Sequence, residues 1–316
     1  MKKLVNFKEL SREEWLEWRK KGIGGSDAAA VMGLNRYRGP ISVWMDKTGR
    51  KHEQEEPSEA MRLGTDLEDY VARRFTEETG KKVRRNNYMM QHDDYHFMIA
   101  DIDREIVGEN ALLECKTASP YAKEQWAGDN TPEEYVIQCL HYMAVTGAEK
   151  VYLACLILQT GIVIREIERD DEAIAALEQR ETDFWVSYVV PEIMPPSTGS
   201  DADDEEISAY CGDSMDGLEI DLPSSMSESL KRLDVLKDMK NSISNEITAL
   251  EDEIKAEMKD AEVAYLDGRK ITWRTSKPRQ TFDSKRFKKD HADLYEEYIK
   301  VGKPVRTFKI AKAEAE

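Results

Sequence analysis

The chain has 316 residues, 40% hydrophobic and 34% charged, with a formal net charge of −17 at pH 7. That length accommodates one large domain or two with a sizeable core. No apolar run reaches the roughly 20 residues of a membrane span and the first residues lack a signal-peptide core, so a soluble cytoplasmic protein with no membrane partner is expected.

In chain order, Gly24-Gly25-Ser26-Asp27 precedes the small-residue run Ala28 to Val31 and predicts a glycine turn entering a helix. Two readings stand: Ser26 or Asp27 as an ordinary N-cap, or exposed backbone N–H groups with the Ser26 hydroxyl as a seat for phosphate. Leu63, Leu67, Val71 and Phe75, spaced by four, predict an amphipathic helix. Glu68 lies at the border of that stripe, facing either a site or solvent, while Asp66 and Asp69 read as surface residues.

Segments 97–103 and 111–116 are short apolar runs around Val107-Gly108-Glu109-Asn110, which predicts a β-hairpin. Strand alternation puts Glu114 and Lys116 on one face, with Asp103 ending the first run. Two acids and a lysine brought together there suit a divalent cation and a pentavalent phosphate. Mg²⁺ needs only one or two carboxylates beside its waters. It acidifies bound water and neutralises phosphate charge, and a neighbouring lysine orients water or meets the oxyanion. In so charged a chain the same pattern also arises on a solvated edge strand. Further on, Gln138 and Tyr142 share one helical face, in a site or in the core.

Pro195-Pro196-Ser197 and the acidic run 201–206 predict a linker. The expected organisation is a domain over 1–195, an acidic linker over 196–226, and a long helix with a basic segment over 227–316. Leu230, Leu233, Leu236, Met239, Ile243, Ile247, Leu250, Ile254 and Met258 predict that helix, ending near Asp267-Gly268. It either packs on the first domain or self-associates. Lys270 to Arg274 reads as a strand. Segments 285–289 and 305–310 interleave basic and aromatic residues, suiting phosphate contacts and base stacking or forming a solvated tail. The charge is uneven: residues 201–268 carry 20 Asp+Glu against 6 Lys+Arg, and residues 269–316 carry 14 Lys+Arg against 7 Asp+Glu. Cys115, Cys139, Cys155 and Cys211 are far apart and read as reduced thiols, neither a disulfide framework nor an iron–sulfur cluster.

Residues 19–30, from Arg19 through Gly24-Gly25-Ser26-Asp27, resemble the opening motif of the YqaJ-like viral recombinases, relatives of lambda exonuclease in the PD-(D/E)XK nuclease superfamily. Segments 32–37, 44–49, 61–68, 102–104, 113–117 and 135–142 continue the resemblance in order, over about half the chain. It implies an α/β (α+β) restriction-endonuclease-like core, a central mixed sheet flanked by helices, followed by the long helix and a small basic β/α segment. The implied activity is Mg²⁺-dependent (Mn²⁺ substituting) 5′→3′ digestion of linear double-stranded DNA in a bacterial host. The product carries 3′ single-stranded tails for a strand-annealing partner, and the assembly implied is a ring trimer. By resemblance, Asp103, Glu114 and the Cys115 carbonyl hold the metal, with Glu68 a further acid. Lys116 and Gln138 position water, and Arg19 with Ser26 holds the 5′ phosphate. Asp101 matches no ligand position of the family, and Tyr142 reads as largely structural. The alternatives are an endonuclease of the same fold and a non-catalytic DNA-binding accessory protein.

Overall fold

The computed structural model describes residues 1–51, 58–302 and 305–311. They divide into two units, Met1–Gly212 and Asp213–Glu316. The first begins with β1 (Lys2–Asn6), three short helices α1 (Arg12–Arg19), α2 (Gly25–Val31) and α3 (Pro40–Lys47), and the longer α4 (Glu59–Thr79). There follow β2 (Val83–Arg85), β3 (Tyr88–Gln91), β4 (Ile99–Ala100), β5 (Arg104–Ile106), β6 (Ala111–Ala118), α5 (Glu133–Thr146), β7 (Lys150–Ile157), β8 (Gly161–Glu168), α6 (Asp171–Phe184) and α7 (Asp201–Cys211).

Strand alternation builds the core. In the five-stranded sheet β2-β5-β6-β7-β8, only the β6–β7 pair is parallel, joined by the α5 crossover. Val151, Leu153 and Cys155 of β7 face α5, whose Cys139 and Met143 are fully buried against them. The intervening Tyr152 and Ala154 face α4, meeting Val71 and Phe75. Being covered on both faces, β7 reads as a nearly unbroken apolar run. On β6 the same alternation sends Leu113 toward α4 and Leu112 toward α5. Glu114 therefore also points to the α5 side, where Gln138 meets it. This is the mixed sheet flanked by helices that the sequence predicts.

The hairpin differs in its first arm. Residues 99–100 pair with β3 in a separate sheet, β1-β3-β4, and only 104–106 pair with β6. The predicted run 97–103 is therefore split, and Asp101 to Asp103 form the passage between two sheets. The helix carrying Glu68 runs over Glu59–Thr79, but Leu63 is exposed while Val71 and Phe75 are buried. Its stripe meets the core only in its second half.

The linker expected over 196–226 is corrected. Ser200 caps α7, and Asp203 is fully buried, accepting hydrogen bonds from the Thr198 N–H and hydroxyl at 2.7 Å each. Trp44 of α3 meets Tyr210 of α7 edge-on at 6.0 Å. An acidic run looks like a linker until one acid finds buried donors; the first unit extends to Gly212.

The second unit contains α8 (Ser227–Met258), β9 (Val263–Leu266), β10 (Arg269–Thr272), α9 (Ser284–Asp290) and α10 (Ala292–Tyr298). α8 ends at Met258, not near Asp267-Gly268. Those two residues, at φ 49° and 73°, turn the β9–β10 hairpin instead, as an Asp-Gly pair favours. Among the described residues no helix is long and apolar enough to cross a membrane.

Candidate active site

Asp103 and Glu114 reach the site from opposite arms of the β5–β6 hairpin. The Asp103 Oδ2 accepts the Cys115 N–H at 2.7 Å, just past the last paired residues of the ladder, so strand pairing itself fixes the carboxylate. Glu114 is buried. Its Oε1 accepts from Lys116 Nζ at 2.6 Å and from Gln138 Nε2 at 2.7 Å, while the buried Oε2 has no hydrogen-bond partner. Gln138 Nε2 also lies 2.8 Å from the Tyr142 hydroxyl, as the i, i+4 spacing requires. Lys116 stands 5.2 Å over the Tyr135 ring.

Electrostatically the cluster is short of positive charge. Burial, then the nearby Glu114 and Glu68 carboxylates, push the Asp103 carboxyl well above its ordinary range. Burial disfavours the Lys116 ammonium, but Glu114 and Asp103 outweigh it and raise its pKa. Among the described residues no group of three or more His, Cys, Asp or Glu side chains forms a metal cage. Two carboxylates suffice for an ion that keeps its waters. The bare Glu114 Oε2 and the repulsion on Asp103 fit such a cation.

Glu68 sits beside this pair with its carboxylate engaged by Arg104 at 2.5 Å. Arg104 also holds Asp69 at 2.6 Å, and Arg85 holds Asp69 at 2.7 Å. Asp66 and Asp69 are exposed as expected. Arg104, buried next to Asp103, is a residue the sequence reading missed; its only signal is its adjacency to the acid. A groove of about 710 Å³ opens here, lined by Trp15, Glu68, Arg85, Asp101, Asp103 and Arg104 among others.

One oxygen of Asp101 is engaged: its Oδ2 accepts from Trp15 Nε1 at 2.9 Å, while its buried Oδ1, like Glu114 Oε2, has no hydrogen-bond partner, and burial raises its pKa despite Arg19. Arg19 lies 5.1 Å from the Trp15 ring and donates to the exposed Ser26 hydroxyl at 2.8 Å, so the structure does bring these two residues together. Ser26 is not an N-cap, since α2 starts at Gly25 with Gly24 as its cap. Asp27 reaches back to the Gly24 N–H at 3.1 Å. Beneath it Asp27, fully buried, binds Lys47 at 2.7 Å and also Arg38, with Arg19 at 3.6 Å. Burial opposes ionisation of Asp27, but Lys47, Arg38 and Arg19 hold its carboxyl well below the usual range. The sequence reading saw Asp27 only as a cap and did not find this network. α2 then packs so closely on α5 that a Cβ on Gly25 would meet the Tyr142 ring and Gln138. Ser26, which meets Arg19, and Gln138, which meets Glu114, therefore lie on two directly packed helices, α2 and α5.

The YqaJ-like viral recombinase domain family model matches residues 14–149. The uncharacterized protein YqaJ of Bacillus subtilis (strain 168) is 39% identical over 299 residues, covering 94% of this chain and 93% of that one. Among solved structures, the alkaline exonuclease LHK-Exo from Laribacter hongkongensis superposes with a TM-score of 0.50 at 24% identity, covering 57% of this chain and 94% of its own. The same exonuclease in complex with dAMP gives a TM-score of 0.50 at 26% identity over the same shares. The likeness places the five-stranded core in the PD-(D/E)XK nuclease fold, as the motif order implies.

Proposed function

Because the chain belongs to the YqaJ-like viral recombinase family, we propose that it is a Mg²⁺-dependent deoxyribonuclease that digests linear double-stranded DNA from its 5′ ends. It releases 5′-mononucleotides and leaves 3′ single-stranded tails for recombination by strand annealing. The observation that carries this reading is the buried Asp103–Glu114 pair, its vacant Glu114 Oε2, and the two donors converging on Glu114 Oε1. The likeness to an exonuclease that binds dAMP supports the substrate class.

In this reading Asp103, Glu114 and the Cys115 carbonyl hold Mg²⁺, with Mn²⁺ as a substitute. The ion supplies charge neutralisation at the phosphate and a more acidic water. Lys116 and Gln138, fixed through Glu114, donate hydrogen bonds toward the attacking water and the developing oxyanion. Glu68 adds negative charge at the groove and anchors Arg104, which keeps the passage carrying Asp103 in place. Arg19 and Ser26 take the 5′ phosphate, for which a guanidinium is a charge-assisted donor. Tyr142 supports Gln138. The partners are linear duplex DNA and a single-strand annealing protein in the bacterial cytoplasm, and the nuclease units form a ring trimer. Incubating the protein with linear and covalently closed duplex, with Mg²⁺ or with EDTA, tests the reading. Mg²⁺-dependent loss of linear DNA alone is expected; cutting of the closed circle would make the protein an endonuclease.

A further inference from the structure

The 32-residue α8 is about 48 Å long at 1.5 Å per residue. Leu233, Leu236, Ile243, Ile247, Leu250 and Ile254 occupy the a and d positions of successive heptads, interrupted only by Lys240 at an a position. A helix laid on a globular core carries a broad stripe of period 3.6. A seam held strictly at 3.5 residues drifts by ~20° per heptad on such a helix and stays in contact only with another supercoiled helix. Among the described residues of the second unit nothing covers this seam: Ile243, Ile247 and Leu250 are 55%, 52% and 53% exposed. A contiguous apolar row of this kind marks an interaction surface.

Charge selects the partner. In the first half of α8, Lys231, Arg232, Lys237 and Lys240 stand against Glu228, Asp234 and Asp238. In the second half, Glu246, Glu251, Asp252, Glu253 and Glu257 outnumber Lys255. A helix with opposite charge in its two halves complements an antiparallel copy of itself. In a parallel pair, Lys240 would face Lys240 and Glu246 would flank Glu251. In the antiparallel pair overlapping along the whole helix, Leu233 layers with the partner's Leu250, Leu236 with the partner's Ile247 and Lys240 with the partner's Ile243, and Arg232 flanks the partner's Glu253. The Arg232–Glu253 pair forms twice across the two-fold axis and fixes the register.

We infer that α8 joins two copies of this chain through an antiparallel coiled coil. The inference does not rest on the nuclease reading; were the nuclease units to form a ring trimer, α8 would pair two such rings. The test is the solution mass of the full chain by light scattering at micromolar concentration. Ile247→Asp/Leu250→Asp is expected to halve the mass while leaving the melting of the first unit unchanged, because neither side chain is in that unit's core. Arg232→Glu alone is expected to lower the mass as well, and Arg232→Glu/Glu253→Arg to restore it. A double-aspartate variant with the wild-type mass would overturn the inference. Failure of the charge swap to restore assembly would overturn the antiparallel arrangement.

Discussion

Gly25 is the point at which the two halves of the candidate site touch. A Cβ there would lie 2.5 Å and 2.9 Å from Tyr142 Cε1 and Cζ, and 3.0 Å from Gln138 Cγ. Carbon atoms rest about 3.5–4 Å apart, so Gly25→Ala displaces the buried Tyr142 ring by roughly 1 Å. Overpacking of this kind costs about 1–3 kcal/mol. Gly25 is the first residue of α2, so the helix-interior advantage of alanine returns little, and a net loss of about 1–3 kcal/mol remains. Urea denaturation of the single and double variants measures it. In a Tyr142→Leu background the same Gly25→Ala change costs at least ~1 kcal/mol less, because the clashing ring is gone. Gly64→Ala is the control: its Cβ would sit 3.6 Å from Thr117 Oγ1, an ordinary contact, within the helix Glu59–Thr79. That variant is expected to be as stable as the parent or more stable. Since Tyr142 and Gln138 move together, Gly25→Ala also lowers DNA cleavage. A Gly25→Ala protein with parental stability, or an equal cost in both backgrounds, would refute the packing argument.

Asp27→Asn leaves the buried Lys47 with only the half-buried Asp46, 3.1 Å away, as a carboxylate partner and is expected to cost about 3 kcal/mol at neutral pH, read by denaturant midpoint. The native pKa of Asp27 is depressed, so its stabilisation is full above the unfolded value near 3.9 and is lost as pH falls through the lower native value; the variant lacks that acid limb. Arg19→Ala is expected to reduce the ratio of initial digestion rates on 5′-phosphorylated over 5′-hydroxyl ends, and an unchanged ratio returns Arg19 to a structural role. A chain ending at Gly212 is expected to melt as one unit and keep its cleavage activity. One ending at Thr198 loses the Asp203 hydrogen bonds and melts lower; equal melting of the two would show that α7 contributes nothing.

The parts of this protein legible in its sequence are those set by local periodicity. Alternation on β6 places Glu114 beside Lys116, and four-residue spacing on α5 aligns Gln138 with Tyr142; both follow from backbone geometry alone. What escaped depends on residues distant in sequence. Arg104 gains meaning only when Glu68 and Asp69 arrive on α4, and Asp27 only when Lys47 and Arg38 close over it. Asp203 reads as one acid in an acidic run until its helix docks on α3 through Tyr210 and Trp44. The apolar run 97–103 divides because its halves find different partner strands, which no local pattern encodes. At Asp267-Gly268, two turn residues serve a hairpin as readily as a helix end, and only the pairing of Val263–Leu266 with Arg269–Thr272 decides between them.

The most direct test of the central claim is nucleotide release from linear duplex DNA in Mg²⁺ by the parent protein and by Glu114→Gln. The substitution keeps the size of the side chain and a hydrogen-bonding group for Lys116, but removes the charge that completes the buried pair with Asp103. Loss of one preorganised electrostatic element in such a site costs about two orders of magnitude or more in rate. The account predicts a drop of at least ~100-fold in release, with thermal stability retained. Parental Mg²⁺-dependent release by Glu114→Gln would contradict it and place the chemistry elsewhere in the chain.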